Sequence, residues 1–359
     1  MYVVVMAGGG GTRLRPLSTP ERPKPFLPLL PTGETLLQRT VRRLQGDELG
    51  PIDVVVVALA AYAPLVAGQL PGVRVIGEPQ GRNTAPAIAL ATLAVDRDPD
   101  EVMVVLPADH RMDPEREGVF RSVLGKAADG IATGAFGVES PLVTLGVQVT
   151  RPATEYGYLI PDAPRGAPID DLEAYPLLAF EEKPRPARAE TLQRTPGVAW
   201  NAGMFLWRRR AIRAALERFA PDIIEAVASG LAQNDLATAY GAINARSIDY
   251  AVMEPAAAAG KVAMATLDAG WTDVGTWPAL LDVLGAPGIG GGVVEAGDPI
   301  EASTDDLVIR RVAGQLVVEV GGGGRIEDSQ PTAVLRGARA ARPLVQQLLE
   351  RCSAAETDS

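Results

Sequence analysis

The feature that most constrains the fold is the start of the chain, where an apolar run passes directly into a run of glycines. Val3, Val4 and Val5 are β-branched and predict a buried strand. The glycines at 8–11 let successive backbone N–H groups turn toward a bound anion, which suits phosphate. Taken alone, the run fits an ordinary turn equally well. It is neither a P-loop nor a dinucleotide fingerprint, because no Gly-Lys-Ser/Thr closes it and Arg13 replaces the fingerprint's last glycine.

The residues that follow add fixed positive charge to this loop. Arg13 and Arg15 carry planar guanidinium groups that match phosphate geometry. Pro23 and Pro25 flank Lys24 and restrict its backbone, which suits an aimed cation better than a flexible surface charge. The chain has only four lysines against thirty arginines. Because lysine is scarce, the two lysines that lie beside proline, Lys24 and Lys183, are candidate functional residues.

Composition narrows the chemistry. With 359 residues and 47% hydrophobic side chains, the chain can bury the core of one large or two smaller domains. It has no apolar run near the roughly 18 residues needed to span a membrane and no basic-then-apolar signal segment, so we expect a cytoplasmic protein without membrane contact. A net charge of −10 argues against nucleic acid as a partner. Because His110 and Cys352 are the only histidine and cysteine, an internal disulfide and a Cys/His zinc site are excluded.

Strand and helix signals alternate through the first half, which predicts an α/β fold with a Rossmann-like, mixed but mostly parallel sheet and helices on both faces. Shorter strands are expected from about residue 131, beginning with 131–138. The predicted domains are a catalytic domain at 1–284, a glycine-rich linker at 285–292 and a small β-rich domain with a terminal helix at 293–359. The last domain carries no convergent charged motif, so packing or dimer contact is its expected role.

Two aspartates lie where ligands of a hard cation are expected. Asp109 follows a buried strand, and ligands of open α/β sheets gather at the carboxyl ends of strands. A turn or helix-cap aspartate is the alternative interpretation of Asp109. Asp273 lies in a tight turn between two tryptophans and could complete a two-carboxylate site with Asp109.

Together these segments resemble the sugar-1-phosphate nucleotidyltransferases, and within them the mannose-1-phosphate guanylyltransferases. The Asn-Thr-Ala-Pro and Ser-Ile-Asp-Tyr segments favour this branch over glucose- or thymidine-using relatives. The matching segments span residues 7–277. They are the glycine loop with Arg13, Pro-Lys-Pro-Phe at 23–26, Arg-Asn-Thr-Ala-Pro-Ala at 82–87, Pro-Ala-Asp-His at 107–110, Tyr-Gly-Tyr at 156–158, Phe-Glu-Glu-Lys-Pro at 180–184, Trp-Asn-Ala-Gly-Met-Phe at 200–205, Ser-Ile-Asp-Tyr at 247–250 and Trp-Thr-Asp-Val-Gly at 271–275.

The resemblance implies GTP and mannose 1-phosphate as substrates, Mg²⁺ as cofactor and a homodimer as a candidate assembly. It implies Arg13, Lys24 and Asp109 as catalytic residues, and Asp109 with Asp273 as metal ligands. The nucleotide is expected to contact Ala7, Gly8, Gly9, Gly10, Gly11, Thr12, Arg13, Lys24, Glu78, Gln80, Arg82, Asn83, Thr84 and Asp109. The sugar phosphate is expected to contact Tyr156, Gly157, Glu182, Lys183, Asn201 and Gly203, although Asn201 could equally bond to neighbouring backbone.

Two alternatives stay open. The chain could use another base or sugar, or it could be a non-catalytic regulatory relative that binds sugar nucleotide. Retention of Arg13, Lys24, Asp109 and Asp273 argues against the second. The tail is shorter than the isomerase domain that some bacterial members carry, so a bifunctional enzyme is not expected.

Overall fold

The computed structural model describes residues 1–9 and 11–357. These fall into two compact units, one formed by Met1–Gly8, Val41–Pro107 and Met112–Trp271, the other by Gly9–Thr40, Ala108–Arg111 and Thr272–Ser359. Nowhere in the described ranges is a helix long and apolar enough to cross a membrane. The strands are β1 (Tyr2–Met6), β2 (Asp53–Leu59), β3 (Arg74–Glu78), β4 (Val102–Pro107), β5 (Leu142–Gln148), β6 (Gly157–Pro161), β7 (Ala174–Glu182), β8 (Ala199–Arg208), β9 (Val262–Thr266), β10 (Gly290–Val294), β11 (Ile300–Ala302), β12 (Leu307–Val312), β13 (Gln315–Val320), β14 (Gly324–Ile326) and β15 (Thr332–Arg336).

The α-helices lie mainly in the first unit, between its strands. They are α1 (Leu36–Arg42), α2 (Ala63–Gln69), α3 (Thr84–Ala94), α4 (Glu117–Thr133), α5 (Pro186–Gln193), α6 (Arg209–Phe219), α7 (Pro221–Ala232), α8 (Leu236–Ala242), α9 (Glu254–Ala258), α10 (Trp277–Val283) and α11 (Arg342–Thr357). Single 3₁₀ turns occur at Thr12–Leu14 and Lys24–Phe26, and a π-helical turn occupies Asp249–Met253.

The first unit is built on one mixed sheet with the strand order β3-β2-β1-β4-β8-β5-β9-β7-β6. The pairs β1–β2, β1–β4, β2–β3 and β5–β9 are parallel, as expected for strands joined by helices. Strand β8 runs antiparallel to both β4 and β5, and β7 runs antiparallel to β6 and β9. The predicted α/β fold with a mixed sheet is confirmed, but parallel pairing is confined to these two groups of strands.

Both faces of the parallel part of the sheet are buried. Tyr2 and Val4 belong to the hydrophobic core that includes α3, α6 and α7. Val3 and Val5 point to the other face because side chains alternate along a strand, and both are fully buried. Such two-sided burial explains the continuous valine run of β1.

One predicted strand is wrong. Residues 131–138 contain no strand, because α4 continues to Thr133 and ends at Gly134 with φ +77°. The apolar residues that suggested a strand are the last turn of α4, where Ile131 packs on the buried side, followed by a turn that buries Phe136. A short apolar run does not by itself distinguish a strand from a buried helix end.

The second unit contains a four-stranded sheet with the order β10-β15-β12-β13 and a two-stranded sheet of β11 and β14. Strands β12 and β13 form a hairpin, with Val312 opposite Gln315 and a two-residue turn in which Ala313 and Gly314 both have positive φ. The core of this unit also takes in α10, α11 and leucines that follow the glycine loop, among them Leu14 and Leu17.

The proposed boundary at 285–292 stays a prediction, but its last residues do not form a free linker. Gly290–Gly292 belong to β10, which pairs with β15. A Cβ at Gly291 would lie 2.5 Å from the Val334 carbonyl oxygen, so the glycine is needed for close strand pairing. The hydrophobic core that contains β12 begins earlier in the chain, since Trp277 and Leu280 of α10 belong to it.

Candidate active site

The glycine loop packs directly against Lys24. Gly11 has φ +58°, and a Cβ there would lie 2.6 Å from the Cβ of Lys24, so only glycine allows this approach. The Ser18 hydroxyl donates a hydrogen bond to the Gly11 carbonyl oxygen at 2.5 Å. Thr12 and Arg13 begin the next turn with exposed side chains. Arg13 is therefore exposed to solvent, while the backbone at Gly11 is held against Lys24.

Lys24 is a buried cation held between two aspartates. Its side chain is 5% exposed, and its Nζ lies 2.7 Å from Oδ2 of Asp109 and 2.5 Å from the backbone carbonyl oxygen of Asp273. The flanking prolines place Lys24 at the start of a 3₁₀ turn. One ammonium group thus joins three segments that lie far apart in the sequence.

The Asp109 carboxylate is stabilised in its charged form. Burial alone would raise the pKa of Asp109, but the charge and hydrogen bond of Lys24, with a smaller contribution from His110, hold the pKa below its ordinary value. His110 Nε2 lies 3.9 Å from Oδ1 of Asp109. The carboxylate, which is 35% exposed, is therefore ionised at neutral pH.

Asp273 lies in a strained turn. Its Oδ1 accepts a hydrogen bond from the Gly275 N–H at 3.1 Å, and a Cβ at Gly275 would lie 2.5 Å from Oδ2. Val274 has φ +45°, a costly conformation for a β-branched residue. These contacts hold the turn in one conformation, in which the Asp273 carbonyl oxygen accepts the hydrogen bond from Lys24.

The oxygen groups around Lys24 are chemically compatible with a hard divalent cation. Across residues 1–9 and 11–357, no cluster of three or more His, Cys, Asp or Glu side chains forms a ready-made metal site. Mg²⁺ in nucleotide sites is typically held by one or two carboxylates plus substrate phosphates. Asp109 supplies one carboxylate beside Lys24, and Asp273, whose backbone carbonyl oxygen bonds to the same lysine, carries a second. The number and type of these groups suit a site completed by substrate phosphates and not a closed protein cage.

A second group of candidate residues lies in the first unit, at the end of β3. Glu78 is 3% exposed, and a Cβ at Gly8 would lie 3.2 Å from its Oε2. Burial raises the pKa of the Glu78 carboxyl to about 7, and a hydrogen bond with Tyr240 offsets only part of that shift. Its Oε1 has no hydrogen-bond partner among the described residues. A buried carboxylate oxygen of this kind is suited to accept hydrogen bonds from a ligand.

Several predicted nucleotide contacts have structural partners instead. The Ala7 N–H donates to the Val57 carbonyl oxygen at 2.8 Å and extends the β1–β2 pairing. The Arg82 guanidinium donates to two consecutive carbonyl oxygens, at residues 240 and 241. The Thr84 hydroxyl accepts from the Ile248 N–H at 2.8 Å. These groups hold the loop before α3 in place, and their role as ligand contacts stays a prediction.

The remaining predicted nucleotide contacts lie before α3 and in the glycine loop. Asn83 has φ +71° and caps α3 with its side chain, which accepts from the Thr84 N–H. Gln80 is half-buried and Gly9 is exposed. Gly10 lies outside the described residues.

The predicted sugar residues converge in the first unit around Asn201. The Asn201 Oδ1 accepts from the Thr144 hydroxyl at 2.7 Å and from the Gly203 N–H at 3.1 Å, and its Nδ2 donates to Oδ1 of Asp249 at 2.9 Å. Because the Gly203 N–H can only donate, these bonds fix which end of the amide carries oxygen. Within residues 1–9 and 11–357 the Nδ2 group bonds only to Asp249, so its second N–H could donate to a ligand hydroxyl.

Glu182 and Lys183 form the other part of this group. Lys183 Nζ lies 2.7 Å from Oε1 of Glu182, with the Lys183 side chain half exposed and the Glu182 side chain 7% exposed. A Cβ at Gly157 would lie 2.5 Å from Oε2 of Glu182, so a larger residue there would displace the Glu182 carboxylate. Lys183 has φ +48°, and the Glu182 N–H donates to Glu254 at 2.8 Å. Strain of this kind is common where a side chain is aimed at a ligand.

Tyr156 packs edge-on against two tryptophans. Its ring centroid lies 5.0 Å from that of Trp200 and 5.5 Å from that of Trp271. The Tyr156 carbonyl oxygen accepts from the Lys183 N–H at 3.2 Å. Tyr156 therefore orders the backbone beside Lys183.

The sequence predicts no role for Asp249. It lies in the π-helical turn at Asp249–Met253, a feature often found at functional sites. Burial, and then the charge of Glu182, raise the pKa of Asp249 to about 6. The Ser-Ile-Asp-Tyr segment is recognisable as a motif, but sequence alone does not show that its aspartate bonds to Asn201.

Comparison with known proteins places the chain in a family. The family model described as nucleotidyl transferase matches residues 2–286. The chain belongs to the nucleotidyl transferase family. This match confirms the resemblance that the motifs predicted.

Curated relatives are similar over nearly the whole chain. A mannose-1-phosphate guanylyltransferase of Escherichia coli strain K12 is 36% identical over 370 residues, covering 99% of this chain and 74% of its own length. Mannose-1-phosphate guanylyltransferase ManC of Salmonella typhimurium strain LT2 is 37% identical over 372 residues, covering 99% and 73%. A crystal structure from Thermus thermophilus, described as a mannose-1-phosphate geranyltransferase, has a TM-score of 0.68 at 29% identity and covers 89% of this chain and 94% of that one.

The raised pKa of Asp249 predicts a specific pH dependence of stability. A carboxyl whose pKa is higher in the folded than in the unfolded state stabilises the fold at low pH and loses that contribution as pH rises through about 6. The variant Asp249→Asn should therefore gain stability relative to the wild type between about pH 4 and pH 7. Urea unfolding of both proteins across this range measures the difference.

Asp171→Asn is the matched control, because the exposed Asp171 has a pKa lowered by its hydrogen bond with Lys126. Its difference from the wild type should change in the opposite direction with pH. A pH-independent difference for Asp249→Asn would show that the Asp249 carboxyl titrates normally.

Proposed function

We propose that this chain is a mannose-1-phosphate guanylyltransferase, which converts GTP and α-D-mannose 1-phosphate into GDP-mannose and diphosphate. Membership of the nucleotidyl transferase family and the names of the two curated relatives support this activity. The observation that carries the proposal is the buried Lys24 held between Asp109 and Asp273 beside the glycine loop. A cation, two carboxylates and a glycine-rich backbone suit nucleotidyl transfer.

The reaction needs positioning and charge stabilisation more than covalent chemistry. An oxygen of the sugar phosphate attacks the α-phosphorus of GTP in line, a P–O bond forms there, and the bond to the β-phosphate oxygen breaks as diphosphate leaves. Lys24 and the exposed Arg13 would bind the triphosphate and stabilise the charge that develops on the transferring group. Asp109 and Asp273 would hold Mg²⁺, which when bound would neutralise charge on the phosphates.

Glu78 is the residue we propose for guanine selection. Guanine carries adjacent donors at N1 and N2, and a carboxylate can accept from both. Glu78 is buried next to Gly8 and has an oxygen without a partner among the described residues, so a base with those donors would satisfy it.

The sugar phosphate would be bound by the group around Asn201. The free N–H of Asn201 and the Glu182 carboxylate suit sugar hydroxyls, with backbone groups of Gly157 and Gly203 nearby in the sequence motifs. Lys183, which is half exposed, would leave Glu182 to pair with the phosphate. A cytoplasmic location and a homodimer remain predictions from the sequence.

The first test is substrate choice. Release of diphosphate is measured with GTP, ATP, UTP and dTTP, each combined with mannose 1-phosphate or glucose 1-phosphate, with Mg²⁺ and with EDTA. We expect the highest kcat/KM with GTP and mannose 1-phosphate and loss of turnover in EDTA. A higher value for another pair would overturn the assignment of base or sugar. Binding without turnover for every pair would favour the regulatory relative.

The second test concerns Glu78. The variant Glu78→Gln should lower kcat/KM for GTP by about 10- to 100-fold, since charge-assisted hydrogen bonds contribute about 1.5–3 kcal/mol. ITP, which lacks the N2 amino group, is the matched substrate control. Wild type should prefer GTP over ITP, and the variant should lose most of that preference. An unchanged GTP/ITP ratio would show that Glu78 does not contact N2.

The third test separates the two lysines. Lys183→Ala should raise KM for mannose 1-phosphate by about 10- to 100-fold with little effect on GTP, because it removes a charge-assisted contact to the sugar phosphate. Lys24→Ala should mainly lower kcat, because a cation at the transferring phosphate acts on the transition state. Lys126→Ala removes a half-buried lysine paired with the exposed Asp171 and is the control. A rise in KM for GTP alone in Lys183→Ala would mean that the lysine assignments are reversed.

A further inference from the structure

Three consecutive carbonyl groups that follow the glycine loop are bound by residues from the C-terminal part of the second unit. The Trp277 indole Nε1 donates to the Arg15 carbonyl oxygen at 3.0 Å. Arg311, on β12, donates from Nε to the Pro16 carbonyl oxygen at 3.0 Å and from Nη2 to the Leu17 carbonyl oxygen at 3.4 Å. The backbone at 15–17 is thus held by side chains about 260 to 300 residues later in the sequence.

Arg311 uses all of its hydrogen-bonding capacity in this place. Besides the two carbonyl groups at 16 and 17, it donates to the Gly314 carbonyl oxygen at 3.1 Å and to both carboxylate oxygens of Glu356, at 2.6 and 3.2 Å. A guanidinium group has five N–H donors in a fixed plane, and here five acceptors receive them. The side chain is only 15% exposed. A mostly buried cation whose donors are all bonded is a structural contact, in contrast to an exposed ion pair on the surface.

The apolar side of the same segment is fixed by packing. Leu14 and Leu17 are fully buried in the hydrophobic core that contains Trp277, Ile309 and Leu349. Arg13 lies between the glycine loop and these leucines, with its side chain in solvent. Its backbone is therefore flanked on one side by Gly11, packed on Lys24, and on the other by the carbonyl groups that Trp277 and Arg311 bind.

We infer that Arg311 is a positioning residue for the nucleotide phosphate site, and that it acts through the backbone of residues 15–17. This inference rests on the proposed use of a nucleoside triphosphate. The hydrogen bonds of Arg311 go to the segment that follows the glycine loop, and not to Lys24. Arg311 holds the segment that carries Arg13 at a fixed distance from Lys24, and a displacement of about 1 Å at such a site can cost up to about 100-fold in rate. The C-terminal part of the second unit thereby contributes to binding of the nucleotide.

The kinetic test compares two neighbouring arginines on β12. Arg311→Ala should raise KM for GTP or lower kcat by at least about tenfold, with KM for mannose 1-phosphate changed by less than about twofold. Arg311→Lys should recover only part of this loss, because a lysine ammonium group has three donors and lacks the planar geometry of a guanidinium group. Arg310→Ala is the matched control, because Arg310 forms its ion pairs with Glu319 and Asp328 instead of bonding to the backbone at 15–17. It should leave all constants within about twofold.

Hydrogen exchange does not depend on enzymatic activity, so it tests this inference separately from the proposed function. The amides of Leu14, Arg15 and Leu17 donate to carbonyl groups within the turn, so their hydrogen exchange reports its order. Peptides covering 11–18 should exchange faster in Arg311→Ala than in Arg310→Ala at equal thermal stability. Equal exchange in the two variants would overturn the inference, whatever the substrates are. Faster exchange with no turnover in any protein would support it and reject the proposed function alone.

Discussion

A lysine ammonium removed from water must find charged or strongly polar partners, and in this chain the buried Lys24 determines where three separate segments lie. Leaving such a charge unpaired would cost several kcal/mol. Its two oxygen partners come from Asp109 and Asp273, and its side chain passes so close to Gly11 that no other residue fits there. The flanking prolines restrict the backbone of the unfolded chain, so less backbone entropy is lost when Lys24 is fixed in place. The conformation of the glycine loop, the ionised state of Asp109 and the strained turn at Val274 are all tied to this one contact.

A structural feature could be predicted from the sequence when the residues that form it are close together in the chain. The buried strand β1 was predicted, because its valine run is a pattern within a few residues. The antiparallel insertion of β8 between β4 and β5 was not, since strand direction depends on connections of more than 40 residues. The end of α4 was assigned to a strand because a buried helix end and a short strand have the same apolar pattern.

The candidate site shows the same limit. The motifs located Lys24, Asp109 and Asp273, but they suggested that each would contact a ligand. In the structure these residues also contact one another. Arg82 and Thr84 were predicted to bind the nucleotide, yet they bond to backbone groups near Tyr240 and Ile248, which lie about 160 residues later. Asp249 has a hydrogen bond that sequence could not reveal, because its partner Asn201 lies 48 residues away. The motifs therefore identified candidate site residues. Which group each of these residues bonds to could be seen only in the folded structure.

The C-terminal part of the chain shows why a segment without catalytic motifs can still matter for chemistry. The carbonyl groups at 15–17, which follow the glycine loop, need hydrogen-bond partners because unpaired backbone carbonyls are costly when buried. Trp277 and Arg311 bind three of these carbonyls, and the core around Ile309 and Leu349 buries the leucines beside them. Glycines have no side chains that could supply such anchors. Anchors from a later segment therefore hold the backbone at 15–17, which is the segment next to the proposed nucleotide site.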